Sequence, residues 1–509
     1  MYIGDWLQRR AQLTPEKIAL IDMHNNQRAI TYREWNDAAT HTAVFLHDLG
    51  VRKGDRVAIL ALNCVEYLDI WFACGKLGAI LQTLNYRLTP HELHGLIADT
   101  TPMVLIYGPE QVEQVRAIRA YGNGIQHYLA LDTTLRADHN DTAFEERKQH
   151  STTVLPKIDL HYDDPWVICY TGGTTGLPKG AILTHGNITW NSVNTVMSWG
   201  LTPDDTAILN SPLFHTGGLN VFTAPLVHIG GASIICRSFD VDQVFDLFES
   251  DTVTLYFGVP TMFISMQQHP HWAKTDFSRL KLIISGGAPC PMPVFERFWE
   301  RGVDFKTGYG LTEAGPNTFW LAPADVRRKP GAVGVPLFHV DVQIIDEQGQ
   351  PCPSDQIGEL LIRGPHVCAG YWNCPEETQQ AIVDGWLHTG DLAYCDAEGY
   401  YFVVGRLKDM IISGGENIYP AEVESVLAAH PAVAEAALIG VPNTRWGEVG
   451  RAVVVRRPDS TLNEEELIAF GRERLAAYKV PKSVVFVDTL PKNAAGKIDK
   501  QLLQQHHGT

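Results

Sequence analysis

The chain has 509 residues, of which 45% are hydrophobic and 19% charged, and its formal net charge at pH 7 is −17. This length predicts at least two domains, and the composition is typical of a folded globular protein rather than a disordered one. The negative charge argues against a nucleic-acid partner, which would require a basic face, and against adsorption to anionic lipid by charge alone.

Nine cysteines are scattered along the chain without a C-x-x-C pair. This spacing argues against a disulfide framework or a zinc site and favours a reducing compartment. Because we find no secretory signal and no apolar run of membrane-spanning length, we expect a cytoplasmic protein. Peripheral membrane contact through a local basic patch stays open, and so does the oligomeric state, with a homodimer among the alternatives.

Residues 1–165 alternate between helical and strand patterns. The helical patterns cover residues 3–11, 32–49 and 66–76, and short apolar runs typical of buried strands cover residues 56–61 and 103–107. Thr31 is the expected cap of the second helix. The alternation predicts a parallel sheet covered by helices.

A loop rich in glycine and threonine, Y-T-G-G-T-T-G-L-P-K-G at residues 170–180, follows the strand-like run 166–170. Glycines let the backbone approach a ligand closely, and loop amides with threonine hydroxyls form a concave site for anions. The common phosphate loop has a different spacing, because Pro178 precedes Lys179 here and Gly180 follows it. We expect this loop to bind a polyphosphate through Thr171, Gly172, Gly173, Thr174, Thr175, Gly176 and Lys179.

At this loop the chain resembles the adenylate-forming superfamily, which includes acyl-CoA synthetases, 4-coumarate–CoA ligases, firefly luciferase and amino-acid adenylation domains. Gly172 stands where serine is common in the family, and its effect on pyrophosphate handling stays open. The resemblance extends from residue 5 to residue 500. It implies an α/β multidomain fold, with a large N-terminal domain of helix-covered mixed sheets over residues 1–407 and a small, mobile α+β domain over 408–509.

Further loops follow strand patterns at residues 232–236, 253–257 and 280–284, after a helical pattern at 185–199. Ligands of such sheets lie just beyond the carboxyl ends of the strands. The third strand leads to Gly286, Gly287 and Ala288, which we assign to the nucleotide site.

The segment K-T-G-Y-G-L-T-E at residues 306–313 is a second loop whose side chains are suited to ligand binding. Gly308 and Gly310 flank Tyr309 and should leave both faces of its ring open for stacking on a purine. Thr312 and Glu313 supply oxygen ligands suited to Mg²⁺. The resemblance implies that Tyr309 is the adenine shelf and that Glu313, with Thr174, is on the metal side.

Residues 331–405 show β-like runs at 342–345, 359–363 and 400–404, which predict an antiparallel subdomain. Within it, W-L-H-T-G-D places Asp391 after a tight turn, and an acceptor-only carboxylate suits two ribose hydroxyls. The family match supports this role. By the same resemblance Arg406 binds ribose and phosphate oxygens.

The last hundred residues have their own pattern, with helices predicted at 422–429 and 464–478 and strands at 434–441, 451–455 and 484–487. The resemblance makes Lys408 the hinge between the domains. It also implies that Ser413, Gly414 and Gly415 line the pantetheine tunnel for coenzyme A, and that Lys497 reaches into the active site during adenylation.

Three segments are expected to line the acid site: residues 214–222, 286–290 and 310–318. They contain no Lys or Arg, and Glu313 is their only acid. A free amine or a second carboxylate on the substrate would be buried there without a partner, which costs several kcal/mol. We therefore predict a monocarboxylic acid with an apolar tail, and the pocket residues are His215, Gly218, Gly286, Gly310 and Gly315.

Together these features predict an ATP-dependent acyl-CoA synthetase that uses ATP, Mg²⁺ and coenzyme A. It would form an acyl-adenylate with release of pyrophosphate and then a thioester, with Lys497, Glu313, Thr174 and His215 as catalytic residues. The motifs favour a medium- or long-chain fatty acid. An aryl-acid CoA ligase of the 4-coumarate or benzoate type is the alternative, and a luciferase-like oxygenase or a non-catalytic nucleotide-binding relative also stays open.

Overall fold

The computed structural model describes residues 5–25, 27–150, 155–171, 178–250, 252–458, 460–493 and 496–508. The central part of the predicted phosphate loop, residues 172–177, lies outside these ranges. Within them, no helix is both long and apolar enough to cross a membrane.

Two large sheets of similar construction form the first part of the chain. Sheet I contains seven described strands, which are parallel except for the antiparallel edge pair at one end. In spatial order its strands are Thr142–Ala143, His127–Ala130, Val104–Tyr107, Arg56–Leu60, Ile80–Thr83, Pro165–Thr171 and Lys179–Thr184. The predicted phosphate loop thus connects the two strands of the antiparallel pair.

Sheet II repeats this arrangement with seven described strands, parallel except at one edge. In spatial order they are Lys306–Thr307, Leu282–Ser285, Leu255–Gly258, Thr206–Leu209, Ala232–Ile235, Ile18–Asp22 and Arg28–Thr31. The parallel, helix-covered architecture predicted from the alternating pattern is confirmed. The N-terminal hairpin, however, belongs to sheet II, although the strands that follow it belong to sheet I.

Helices cover both sheets and fill the space between them. Val65–Leu77 is buried along its whole length, and one apolar cluster joins its side chains to residues of both sheets. Such burial explains why this helix is largely apolar, although it also carries the charged residues Glu66, Asp69 and Lys76. The helices of this part are Trp6–Leu13, Tyr32–Asp48, Val65–Leu77, Pro90–Thr100, Val112–Ala120, His185–Trp199, Thr216–Asn220, Thr223–Ile229, Val241–Glu249, Pro260–Gln268 and Met292–Glu300.

Sheet III is an antiparallel sheet, as predicted for residues 331–405. It is formed by Asp341–Ile345, Gly358–Arg363, Ile382–Val383, Trp386–Cys395 and Tyr401–Arg406, with the helix Pro375–Ala381 beside it. A short pair, Phe319–Trp320 and Val335–Pro336, precedes it. The expectation that Asp391 follows a tight turn is wrong, because Asp391 lies inside the strand Trp386–Cys395. The tight turn is earlier, at Asp384 and Gly385, which both have positive φ.

The C-terminal part is a small α+β unit with its own mixed sheet, sheet IV. Its strands are Ile411–Ser413, Glu416–Ile418, Val433–Asn443, Gly447–Arg456 and Ser483–Val487, and its helices are Pro420–Ala428, Glu464–Arg472 and Lys500–His507. The fold is therefore the one predicted: a large N-terminal domain of mixed α/β sheets followed by a small C-terminal domain.

Candidate active site

The predicted adenine and ribose residues lie together where sheet II meets sheet III. Tyr309 follows the edge strand Lys306–Thr307, and its hydroxyl donates to Asp391 Oδ2 at 2.5 Å. Arg406 Nε lies 2.6 Å from Asp391 Oδ1. Asp391 and Arg406 are also backbone partners on neighbouring strands of sheet III. Three residues far apart in sequence therefore form one hydrogen-bonded group.

Burial controls the protonation of this group. It raises the pKa of Asp391, while the adjacent Arg406 guanidinium opposes that rise and favours the carboxylate. Burial, and then the Asp391 carboxylate, raise the pKa of Tyr309 well above its ordinary value. Tyr309 therefore keeps its proton as a donor, and Asp391 remains an acceptor with lone pairs to spare for ribose hydroxyls.

The glycines beside Tyr309 have a different role from the one expected. A Cβ at Gly310 would lie 1.6 Å from the Pro316 carbonyl oxygen, and a Cβ at Gly308 would lie 2.8 Å from Ile284 Cγ2. Both glycines are thus required by close packing of neighbouring chain. The ring of Tyr309 is not open on all sides, because the Phe319 ring packs against it at 64° with centroids 5.8 Å apart.

Glu313 is the centre of the second group of predicted residues. It is buried in the short 3-10 turn Thr312–Ala314, and its Oε1 accepts hydrogen bonds from Thr171 Oγ1 at 3.3 Å and from the Tyr371 hydroxyl at 2.9 Å. Both hydrogen bonds that the described residues make to this carboxylate are to Oε1, and none of them is to Oε2.

These residues fit Mg²⁺ better than a metal that needs a closed protein cage. Among the described residues no group of three or more His, Cys, Asp or Glu side chains could hold a metal. Mg²⁺ is usually bound by one or two carboxylates together with substrate phosphates and water. One buried carboxylate, with an oxygen that the described residues do not bond and next to the ends of the predicted phosphate loop, suits such a site.

The two described ends of the phosphate loop contact Glu313 and its partner Tyr371. Thr171 bonds the Glu313 carboxylate, and Lys179 Nζ lies 5.3 Å from the centre of the Tyr371 ring. The intervening predicted residues, Gly172, Gly173, Thr174, Thr175 and Gly176, lie outside the described ranges, so their roles stay predictions.

Lys497 faces the same region from the C-terminal domain. Surrounding protein atoms lower its pKa and the Arg406 charge lowers it further, while Asp391 and Glu313 oppose the shift. The residue as a whole remains exposed to solvent in the cleft. The predicted lysine therefore lies within electrostatic reach of both the ribose-side and the metal-side carboxylates.

The three segments expected to line the acid site are neighbours in the structure. The Phe257 ring lies between the first two: a Cβ at Gly217 would be 3.3 Å from Phe257 Cε1, and one at Gly286 would be 2.8 Å from Cε2. Asn317 Nδ2 joins the third segment to the first by donating to the Val221 carbonyl at 3.1 Å.

His215 is half-buried with its Nε2 atom fully buried, and its imidazole is neutral at pH 7. Burial, and then the charges of Lys497 and Arg87, lower the pKa of His215 to about 4. Gly218 permits close packing, because a Cβ there would lie 2.5 Å from the Pro212 carbonyl oxygen. Gly315 has a φ of 90°, which favours glycine at that position.

Elsewhere the predicted residues lie as follows. Gly287 has a φ of 79° directly after the strand Leu282–Ser285, with Ala288 next to it. Ser413, Gly414 and Gly415 form the turn of the hairpin in sheet IV, where the Gly414 amide donates to the Trp446 carbonyl at 2.8 Å. This turn packs on its own domain, and its coenzyme A role stays a prediction.

Sequence reasoning missed residues of the site that carry no motif of their own. Tyr371 donates a hydrogen bond to Glu313, and Phe257 lies between two of the segments expected to line the acid site. Arg87 lies near the turn before Lys497, because a Cβ at Gly496 would be 3.7 Å from Arg87 Nη1. Of these three, only Phe257 could have been identified from the sequence, because it lies near the carboxyl end of a strand of sheet II, where ligands of such sheets bind.

The family match agrees with this geometry. Residues 7–372 match the AMP-binding enzyme family, and residues 422–497 match the AMP-binding enzyme C-terminal domain. The chain is 44% identical to a feruloyl-CoA synthase of Amycolatopsis over 508 residues, covering 99% of each chain. It is 38% identical to an indoleacetate–CoA ligase of Aromatoleum aromaticum, covering 99% of this chain and 98% of the relative.

A fatty-acid enzyme is also among the relatives. The long-chain-fatty-acid–CoA ligase FadD13 of Mycobacterium tuberculosis is 34% identical, covering 99% of this chain and 98% of the relative.

Solved structures extend the likeness to both domains. The anthranilate CoA ligase AuaEII in complex with anthranoyl-AMP has a TM-score of 0.91 at 29% identity, covering 99% of this chain and 96% of that one. ATP-bound MatB from Rhodopseudomonas palustris has a TM-score of 0.90 at 34% identity, covering 100% of this chain and 99% of that one. The chain therefore belongs to the AMP-binding enzyme family, in the adenylate-forming superfamily, and is a CoA ligase that uses ATP, Mg²⁺ and coenzyme A.

Proposed function

We propose that the chain converts an aryl-substituted monocarboxylic acid to its coenzyme A thioester through an acyl-adenylate. One observation carries the choice of acid. His215 Nε2, Asn220 Oδ1 and Thr318 Oγ1, in segments that we expect to line the acid site, are buried and lack a hydrogen-bond partner among the described residues. An alkyl chain would leave these three atoms without hydrogen-bond partners, whereas hydroxyl or methoxyl groups on an aromatic ring could form hydrogen bonds with them.

The relatives support the same choice. Feruloyl-CoA synthase and indoleacetate–CoA ligase, both named for acids with an aromatic ring, are 44% and 38% identical to the chain, against 34% for the fatty-acid ligase. The fatty acid that the motifs favoured is thus not confirmed, and the aryl alternative is supported at least as well. FadD13, which aligns over its whole length, makes a fatty acid the second candidate.

In the first half-reaction a carboxylate oxygen attacks the α-phosphorus of ATP, and the bond to the bridging oxygen breaks to release pyrophosphate. Both reactants are anionic, so the protein must align them and neutralise the charge that develops. We assign this to Lys497 and the phosphate loop, with Tyr309, Asp391 and Arg406 holding the nucleoside. Glu313, with Thr174, would hold Mg²⁺, which would supply further neutralisation of phosphate charge.

In the second half-reaction the coenzyme A sulfur attacks the acyl carbon, the bond to AMP breaks, and the thiol proton passes to solvent. We assign rotation of residues 408–509 about Lys408 to this step. The rotation withdraws Lys497 and brings Ser413, Gly414 and Gly415 to the acid site. A hinge of one or two residues can absorb such a change.

A screen of acids with and without coenzyme A tests the proposal. We expect hydroxylated or methoxylated cinnamates to give a kcat/KM for pyrophosphate release about a hundredfold above that of octanoate or palmitate, because each unmet buried polar group costs about 1–3 kcal/mol. Unsubstituted cinnamate should fall between them. Higher kcat/KM for the straight-chain acids would instead establish the second candidate. AMP release independent of coenzyme A, with oxygen uptake, would contradict a ligase.

The ribose assignment gives a second prediction. Asp391→Asn removes the charge that pairs with Arg406 and should raise KM for ATP about tenfold or more, as expected for losing hydrogen bonds to a charged group. Asp341→Asn is the matched control, because Asp341 pairs with Arg363 across two strands of the same sheet at 2.8 Å but is exposed. Equal KM values in the two variants would remove Asp391 from the ribose site.

A further inference from the structure

We propose that Tyr371 is a positioning residue that orients the Glu313 carboxylate for Mg²⁺ and couples it to the phosphate loop. The inference rests on the assignment of Glu313 to the metal under the proposed function. Tyr371 belongs to none of the motifs that identified the family, and it lies 58 positions from Glu313.

The backbone around Tyr371 is held against both partners. Residues 369–372 run along the antiparallel edge of sheet I, where Ile182 exchanges hydrogen bonds of 2.9 and 3.0 Å with residues 369–370. The Cys368 amide also donates to the Glu313 carbonyl at 2.7 Å. The segment is therefore fixed both to the strand that leaves the phosphate loop and to the turn that carries Glu313.

The Tyr371 side chain completes this connection. Its hydroxyl donates to Glu313 Oε1 at 2.9 Å, the atom that also accepts from Thr171 at 3.3 Å. Its ring lies 5.3 Å from Lys179 Nζ, within the range of a cation–π contact. Residues at both ends of the phosphate loop thus contact the pair formed by Glu313 and Tyr371.

Two hydroxyls on one carboxylate oxygen fix the rotation of the carboxylate. Because both described partners bond Oε1, Oε2 is the oxygen that would be available to Mg²⁺. Partners that orient a metal ligand in this way typically change metal affinity by about 10–100-fold when removed. The Tyr371 hydroxyl is the partner with the shorter of the two bonds.

The test replaces Tyr371 with phenylalanine, which removes the hydroxyl and keeps the ring beside Lys179. We expect the Mg²⁺ concentration for half-maximal ATP–pyrophosphate exchange to rise about tenfold. Mn²⁺ affinity, measured by electron paramagnetic resonance with a non-hydrolysable ATP analogue, should fall by the same factor. Thioester formation from added acyl-adenylate should be unchanged.

Two further variants make the outcomes distinct. Tyr107→Phe removes another buried hydroxyl bonded to a carboxylate, Asp141 Oδ2 at 2.6 Å, on a different strand of sheet I. It should leave the Mn²⁺ affinity unchanged, and a loss equal to that of Tyr371→Phe would overturn the inference. If Glu313→Gln weakens Mn²⁺ binding and Tyr371→Phe does not, the inference fails and the metal assignment stands. If neither weakens it, both fail.

Discussion

Lys497→Ala should lower the rate of acyl-adenylate formation by about a hundredfold or more, because the charge it removes is directed at the transition state. Lys497 lies in the electrostatic field of Asp391 and Glu313, the ribose-side and metal-side carboxylates. Thioester formation from added acyl-adenylate should be spared, since the lysine is withdrawn in that step. Separate assays of ATP–pyrophosphate exchange and of thioester formation measure the two effects.

The same lysine predicts a pH dependence. Its pKa lies below the ordinary lysine value, mainly because protein atoms displace water around it and because Arg406 is near. Adenylation requires the protonated form, so its rate should fall as pH rises through this lowered pKa. Lys497→Arg keeps a charge at high pH and should shift that fall to higher pH.

Lys492→Ala is the matched control for these experiments. Lys492 lies five residues earlier in the same segment and pairs with Glu435 at 2.9 Å within the C-terminal domain. Its removal should leave both half-reactions near wild type. If Lys497→Ala slowed both half-reactions equally, the lysine would not be specific to adenylation.

Lys408→Pro should block thioester formation while leaving ATP–pyrophosphate exchange nearly intact. In the structure, Leu407–Asp409 form a 3-10 turn, a conformation whose typical φ is close to the value that proline fixes. Proline therefore favours the observed arrangement, in which Lys497 faces the nucleotide site, and resists rotation away from it. We expect overall turnover to fall about a hundredfold, equivalent to ~2.7 kcal/mol on the barrier.

Lys408→Ala distinguishes the backbone from the side chain at this position. It removes the amine but leaves φ free, so it should retain the domain rotation and most of the overall turnover. Full turnover in Lys408→Pro would show that the hinge lies elsewhere. Loss of pyrophosphate exchange in the same variant would show damage to the nucleotide site instead.

The sequence predicted helix boundaries well where capping chemistry defines them. The helix Tyr32–Asp48 begins directly after Thr31, which forms a capping box with Glu34, and His185–Trp199 ends at Gly200 in the left-handed region. The helix predicted over 464–478 instead ends at Arg472. Leu475 and Tyr478, which continue its apolar periodicity, still pack on the domain core. The periodicity therefore predicted correctly that these side chains are packed, but not that the backbone leaves the helix after Arg472.

The site was predictable where residues belong to motifs that match the family, and unpredictable where distant segments meet. Tyr309, Asp391, Arg406 and Glu313 were identified through such motifs, and the structure brings them together in two groups. Tyr371 could not be found in this way, because its function depends on a docking contact with Glu313 that no local pattern encodes. For the same reason the local pattern identified strands without showing to which sheet each belongs.

The position of the N-terminal hairpin has a consequence for biosynthesis. Ile18–Asp22 pairs with Ala232–Ile235, more than two hundred residues later in the chain. A ribosome must therefore deliver residues up to 235 before the hairpin finds its neighbour, and until then its apolar edge stays without a strand beside it. Such long-range pairing is slow and exposes nascent chains to aggregation, so chaperone demand should be greatest before the second sheet has emerged.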